Sequence, residues 1–340
     1  MHRSMLFLCV AAVATAIAGQ WPRTTWAAGQ STPAAEETQR LQQVLDTASQ
    51  RAKPGTLGVA VLDLRTGVTA GVLAQQPFPM MSVFKAPVAA AVLDRIEHGS
   101  MSLDQKVTVT QHDVSDGSAV PSVGAQFKAG KTVFTVERLL QGAVSESDNT
   151  AVNVLLRVAG GPPMVTTFLR AHGIDGMRVD VDEAGISDIF NDVKPGQVVS
   201  AQESDAAYGQ RRQRGYQAFL ADPRNRSTPS GAVAFLRKLQ GGELLSPAST
   251  QYLLRLMAAQ TLPNRLRAGV PQGVHLADKS GTSGTQQGRT AAYNDIGILS
   301  WPDGSVVIIA AFLSDSPASG KERDALFADL ARSVATATRP

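Results

Sequence analysis

The stretch Pro79-Met80-Met81-Ser82-Val83-Phe84-Lys85-Ala86-Pro87-Val88-Ala89-Ala90-Ala91-Val92-Leu93-Asp94-Arg95-Ile96 decides how the rest of the chain is read. From Val83 to Ile96 the apolar residues are dense enough for a buried helix, and Gly99 supplies a stop just beyond it. Pro87 removes one backbone donor, so the helix is expected to begin near Ser82, where that loss falls in the first turn. Ser82 and Lys85 then share a helical face, and the ammonium can reach the hydroxyl. Serine is a poor nucleophile until something takes its proton. A lysine can do that when burial or nearby positive charge lowers its pKa. Alone, an S-x-x-K is weak, because both residue types are common.

Two further motifs follow in order. Ser147-Asp148-Asn149 precedes a helical pattern from Thr150, and by itself it is an ordinary N-cap. In a reactive site, Ser147 could relay a proton to a leaving nitrogen, and Asn149 could hold Lys85 or a substrate amide. Lys279-Ser280-Gly281-Thr282 closes a predicted strand. Its plain reading is an edge-strand lysine and a turn. Gly281, however, removes a side chain where another backbone or a ligand must come close, and Lys279 offers positive charge to a substrate carboxylate.

Around these motifs the periodicity places strands at both ends and helices between them. Residues 34–53 read as an amphipathic helix with Leu41, Val44, Leu45 and Ala48 on one face. Strands are predicted over 56–64 and 68–73, joined by Arg65-Thr66-Gly67. Helical patterns cover 136–144, 150–158, 163–172 and 231–239, strands return over 274–282, 290–300 and 305–313, and a last helix covers 321–336. The expected fold is a two-lobed α/β (α+β) architecture, an antiparallel sheet flanked by helices plus an inserted all-α domain. The expected organisation is a discontinuous α/β domain (36–80 and 240–338) and an all-α domain (81–239) with an enlarged loop over 184–226. A cleft between them would hold the ligand.

Arg3, the uncharged apolar run from Met5 to Ala18 and the small residues at 16–18 and 27–28 read as a secretory signal peptide over 1–28, cleaved somewhere between 18 and 28. Gln20, Pro22 and Arg23 interrupt the run before it spans a bilayer. A secreted, periplasmic protein without stable membrane association is expected. The one cysteine, Cys9, lies inside that leader, so the mature chain can form no disulfide. With 32 Lys and Arg against 29 Asp and Glu, charge points to no nucleic-acid partner. The run Gln210-Arg211-Arg212-Gln213-Arg214 reads as a solvated loop. His2, His98, His112, His172 and His275 show no paired metal-ligand spacing, and no G-x-S-x-G elbow appears. No metal or cofactor is called for, and a monomer is expected.

S-x-x-K, S-D-N and K-S-G in this order form the signature set of the penicillin-recognising serine enzymes. Over residues 36–338 the chain resembles a class A serine β-lactamase, with Pro79–Lys85, the run from Lys279 through Thr290-Ala291-Ala292-Tyr293-Asn294-Asp295-Ile296-Gly297, and Pro302-Asp303-Gly304 similar to the PER- and VEB-type extended-spectrum branch. Asn264-Arg265-Leu266 before Gly269 fits the segment preceding the strand. The resemblance implies a covalent acyl-enzyme on Ser82 and a β-lactam substrate. It makes Lys85 or Glu183 the base, Ser147 the proton donor to the leaving nitrogen, and the Ser82 and Thr282 N–H groups the oxyanion hole. Asn149, Lys279, Ser280, Gly281, Thr282 and Arg289 would then bind the substrate. Glu183, in Asp182-Glu183-Ala184-Gly185-Ile186, carries the role of activating the deacylating water.

Three departures stand out. Ser187 replaces an asparagine that helps hold that water, the segment after Glu183 is about 29 residues longer than usual, and Val181 and Asn225 occupy the positions of a loop-closing Arg–Asp pair. A D-alanyl-D-alanine peptidase shares the three motifs, and a slowly deacylating β-lactam sensor is the non-enzymatic alternative.

Overall fold

A computed structural model describes residues 32–339 apart from 119, 195, 196, 198 and 201; the expected signal peptide lies outside these residues. From Pro33 onward the chain forms one compact unit. Helix α1 (Pro33–Arg51) leads into β1 (Thr56–Asp63), β2 (Thr69–Val72) and the short β3 (Phe78–Pro79). A 3₁₀ turn, Met81–Phe84, runs directly into α2 (Lys85–Glu97). Pro87 therefore falls in the first turn, and Gly99 follows the helix at φ +72°.

The middle of the chain is mostly helical. It holds β4 (Lys106–Thr108), α3 (Val123–Lys128), β5 (Val133–Thr135), α4 (Val136–Val144), α5 (Asn149–Ala159), α6 (Pro162–Ala171), α7 (Glu183–Asn191), α8 (Asp205–Ala221), β6 (Arg226–Ser227), α9 (Pro229–Gln240), α10 (Pro247–Ala258) and α11 (Leu266–Gly269). Strands β7 (His275–Thr282), β8 (Thr285–Gln286), β9 (Arg289–Ser300) and β10 (Val306–Ser316) follow, and α12 (Gly320–Ala337) ends the fold.

The main sheet is antiparallel, in the order β2-β1-β10-β9-β7, with β8 paired to β9. Both faces are covered, which explains why Val306 to Leu313 is apolar without alternation. Ile308, Ala310 and Phe312 face the core shared with the helical lobe, while Val307, Ile309, Ala311 and Leu313 pack with α1 and α12. Helix α9 lies against β1, β9 and β10 on the inner face. Strand β7 ends the order, so its free edge borders the helical lobe.

Residues 184–226, expected as an enlarged loop, instead carry α7 and α8. The basic run 211–214 is correspondingly not a solvated loop. Arg211 makes a two-pronged ion pair with Glu203, at 2.9 and 2.7 Å, and donates to the Asn191 carbonyl at 2.5 Å. Arg212 bonds the Asn191 side chain and stacks on Phe190, and Arg214 pairs with Asp192 at 2.8 Å. The arginines thus cap and grip the C-terminal end of α7, where helix carbonyls and the dipole favour cations. Phe190, Tyr216 and Phe219 fill the interface edge to face.

Candidate active site

Ser82 sits half-buried in the 3₁₀ turn, at the entrance to α2. Three residues on, Lys85 is fully buried. Its Nζ donates to the Ser147 carbonyl at 2.8 Å and to Asn149 Oδ1 at 2.5 Å, and lies 3.0 Å from Glu183 Oε1. The expected hydrogen bond to Ser82 is not among these contacts: the ammonium is drawn toward two oxygens and a carboxylate below the nucleophile. Burial lowers the Lys85 pKa, and the Glu183 carboxylate opposes that shift.

The plain reading of Ser147-Asp148-Asn149 and the functional one both hold. Asp148 is the N-cap of α5, accepting from the Ala151 N–H at 2.7 Å. That leaves its two neighbours free for the site. Ser147 takes a left-handed backbone, φ +55°, unusual for a non-glycine residue. Asn149 donates through Nδ2 to the Asp116 carbonyl at 2.7 Å, which turns its oxygen toward Lys85.

From the opposite lobe, Lys279 reaches in from β7 with no exposure at all. Its Nζ donates to Ser147 Oγ at 3.1 Å, to the Ser280 carbonyl at 3.1 Å and to Gln260 Oε1 at 3.4 Å. Burial, then the charge of Lys85, brings its pKa down to about 7. Beneath it, burial pushes the Asp278 and Asp295 carboxyls up, Asp295 strongly.

Gly281 lies close against the turn that carries Ser82. A Cβ there would stand 2.5 Å from the Met80 carbonyl oxygen and 3.0 Å from Ser82 N, so no larger residue fits. Ser283 N donates to the Ala292 carbonyl at 2.9 Å, while Thr282 and Tyr293 are the next opposed pair. In an antiparallel ladder hydrogen-bonded and non-hydrogen-bonded pairs alternate, so the Thr282 N–H points off β9 to the free edge, beside Ser82. Two backbone donors flank the nucleophile in the arrangement that a developing oxyanion needs.

Glu183 is the first residue of α7 and is buried. Asp182 caps that helix by accepting from Gly185 N at 2.9 Å, and Glu183 N donates to Asn153 Oδ1 at 3.0 Å. Where the sequence offers no ion pair, a neutral amide closes the loop. Asn225 Oδ1 accepts from Asp180 N and Val181 N at 2.7 and 3.1 Å, and Asn225 Nδ2 donates to the Val181 carbonyl at 2.9 Å. The Asn225 carbonyl accepts from Met80 N at 3.0 Å, tying this loop to the nucleophile turn. Ser187 is exposed and bonded to Asn191, so its side chain takes no part in the site.

The two arginines differ in their surroundings. Arg289, expected to bind a substrate carboxylate, is committed to Asp315 through Nε at 2.6 Å and Nη2 at 2.7 Å. Arg265, which the sequence places only in the segment preceding β7, lies against the end of that strand. It is buried, and Nη1 donates to the Gly281 and Asn294 carbonyls at 3.1 and 2.7 Å while Nη2 bonds Thr282 Oγ1. Its left-handed backbone, φ +62°, lies in a short turn before α11, a placement with no signature in the local sequence.

The arrangement offers a hydroxyl beside two backbone donors, a lysine–glutamate pair below it, and a second lysine holding another serine. That is equipment for acyl transfer through a serine ester.

Comparison with known proteins agrees with this geometry. A family model described as the beta-lactamase enzyme family matches residues 37–338. Beta-lactamase L2 of Stenotrophomonas maltophilia is 31% identical over 97% of both chains. The extended-spectrum beta-lactamase PER-1 of Pseudomonas aeruginosa is 30% identical, covering 76% of this chain and 75% of its own. The structure of the class A beta-lactamase of the last common ancestor of Gram-negative bacteria superposes with a TM-score of 0.71 at 35% identity, over 88% of this chain and 99% of that one. With the three motifs joined by hydrogen bonds among Lys85, Ser147, Asn149 and Lys279, and the family matched over nearly the whole described fold, the chain belongs to the β-lactamase enzyme family, among its class A serine members.

Proposed function

We propose that this chain hydrolyses the cyclic amide of penicillins and cephalosporins through a Ser82 acyl-enzyme, and so confers antibiotic resistance. The observation that carries the reading is the linkage of the three motifs: Lys85, three residues from Ser82, is paired to Glu183 at 3.0 Å and bonded to Ser147 and Asn149, and Ser147 is held by Lys279 at 3.1 Å. Ser82 Oγ attacks the lactam carbonyl carbon while its proton passes to Lys85, or to Glu183 through a water. The carbonyl oxygen, now negative, takes hydrogen bonds from the Ser82 and Thr282 N–H groups, each donor of this kind being worth about 3 kcal/mol. The C–N bond breaks as Ser147 gives its proton to the leaving nitrogen and receives in its place the proton taken from Ser82, which restores the base, while the Lys279 ammonium holds Ser147 Oγ by a hydrogen bond. Glu183 then takes a proton from water as its oxygen attacks the ester carbon, and that proton passes to Ser82 Oγ as the acyl C–O bond breaks, which regenerates both groups.

Arg265, Thr282 and Ser280 form the end of the cleft that receives the substrate carboxylate, in place of Arg289. The name of PER-1 as an extended-spectrum enzyme supports bulky oxyimino cephalosporins as substrates here too. Export of the chain to the periplasm or beyond fits the N-terminal pattern. Among the described residues no helix is long and apolar enough to cross a membrane. The Lys85–Glu183 pair disfavours a sensor, which needs an acyl group that stays.

A chromogenic cephalosporin tests the proposal. Many turnovers per chain are expected, and a single stoichiometric burst would make the protein a sensor. Ser82→Ala should abolish labelling by a penicillin; labelling that survives removes Ser82 as nucleophile.

A further inference from the structure

Resting on that reading of the cleft, we infer that Tyr293 is a positioning residue for substrate-carboxylate recognition, acting through Arg265. The two are brought together by register. Thr282 of β7 and Tyr293 of β9 are directly opposed in a non-hydrogen-bonded pair, so their side chains stand close on one face of the sheet. The Arg265 guanidinium occupies the space they share. Its carbon lies 3.9 Å from the centre of the Tyr293 ring, and its Nη2 bonds Thr282 Oγ1.

Hydrogen bonding alone does not fix the guanidinium. Nη1 is spent on the Gly281 and Asn294 carbonyls, whereas Arg265 Nε is buried with no hydrogen-bond partner among the described residues. The flat ring adds a surface on which the desolvated cation stacks. The ring is itself anchored. Its hydroxyl donates to Asp324 of α12, Asn264 Nδ2 donates to the same carboxylate at 2.8 Å, and Phe327 packs edge-on with ring centres 5.5 Å apart. Arg323 lies 5.0 Å from the ring centre as a second cation. The last helix therefore reaches the cleft in three contacts: Asp324 holds Tyr293, Tyr293 seats Arg265, and Arg265 presents its remaining Nη2 donor beside Thr282.

This arrangement makes a specific demand on kinetics. Arg265 meets the substrate carboxylate in the ground state and the transition state alike, so loosening it weakens uniform binding and leaves the chemical step in place. Tyr293→Leu should raise KM for a chromogenic cephalosporin about tenfold with kcat within about twofold. Tyr293→Phe, which keeps the ring, should stay within about threefold of the wild-type KM. In an Arg265→Ala background, Tyr293→Leu should add nothing further to KM. A KM unchanged in Tyr293→Leu, or a further rise in the Arg265→Ala background, overturns the assignment. Should the leucine protein fail to fold, Tyr293→Met, which also removes the flat ring, must raise KM severalfold; an unchanged KM there is equally fatal. Turnover by the wild-type chain decides the hydrolase reading separately, since its absence sinks that reading before any variant is compared.

Discussion

The Lys85 ammonium and the Glu183 carboxylate lie 3.0 Å apart, Nζ to Oε1, with both side chains buried. Neither charge is tolerable there alone, because desolvation penalises an isolated ion heavily. The pair therefore shares one electrostatic fate, yet the two steps of the reaction ask different things of it. Acylation can draw on either partner as base. Deacylation needs a carboxylate facing water.

Glu183→Ala separates those demands. With the carboxylate gone, burial is opposed only by the charge of Asp148 and lowers the Lys85 pKa further, which favours the neutral amine that accepts the Ser82 proton. Acylation should continue and hydrolysis of the ester should fall by about 10²- to 10⁴-fold, the usual contribution of a positioned base. Intact mass spectrometry after mixing with a penicillin should find the chain carrying the substrate mass. Turnover at the wild-type rate would remove Glu183 from the mechanism.

Lys279 predicts the alkaline limb of the pH profile. Its pKa is brought down to about 7, and the protonated form is the one that donates to Ser147 and attracts an anionic substrate. Below that value the ammonium is present; above it the charge is lost. The profile of kcat/KM, which reports the free enzyme, should fall as pH rises through about 7. In kcat the same limb should move to higher pH, because the bound carboxylate favours the charged amine. An alkaline limb equal in kcat and kcat/KM would separate Lys279 from substrate binding.

Arg265 and Arg289 give opposite expectations. Arg265→Ala removes a buried cation from the Thr282 edge and should raise KM at least tenfold. It should also lower the melting temperature, because the Gly281 and Asn294 carbonyls lose a charged donor worth about 1.5–3 kcal/mol. Arg289→Ala breaks a half-exposed pair with Asp315 and should leave KM within about twofold. Michaelis constants for the two variants side by side decide which arginine serves the substrate.

The contrast between these arginines shows where sequence reading succeeds and where it stops. Ser82 and Lys85 are three residues apart in one helical segment, Ser147 and Asn149 flank a capping aspartate, and Lys279 and Gly281 are two apart on one face of a strand. In each case local geometry fixes the relation, so spacing is enough to read it. The sheet is equally legible, because β10 must be apolar on both faces to be buried on both. Arg265 belongs to the other category. Its placement depends on a left-handed turn and on two strands 16 and 29 residues away. Asn225 likewise replaces an ion pair with hydrogen bonds that no charge pattern announces. Helix α8 is hidden in the sequence because Gly209, Gly215 and the arginine run read as loop, while the partners of that run lie on α7 and in the segment between the two helices.

That hidden helix supports the last prediction, which concerns Gly215. A Cβ added there would stand 2.4 Å from the Phe190 carbonyl oxygen and 2.8 Å from Asp192 N, both of them backbone atoms that cannot swing aside. Gly215→Ala must therefore push α8 off α7, at a cost of about 1–3 kcal/mol for overpacking. The displacement loosens the end of α7 that Arg211, Arg212 and Arg214 hold, and Glu183 is the first residue of the same helix. Ser82, Lys85 and the oxyanion donors lie on other elements and keep their places. Acylation should stay within about threefold of wild type while ester hydrolysis slows, so that acyl-enzyme accumulates during steady-state turnover. Stopped-flow measurement of the two steps discriminates the outcomes. Equal slowing of both would mean that α8 supports the whole fold, and no change in either would mean that α7 is held well enough by Asn153, Asp182 and Asn225 alone.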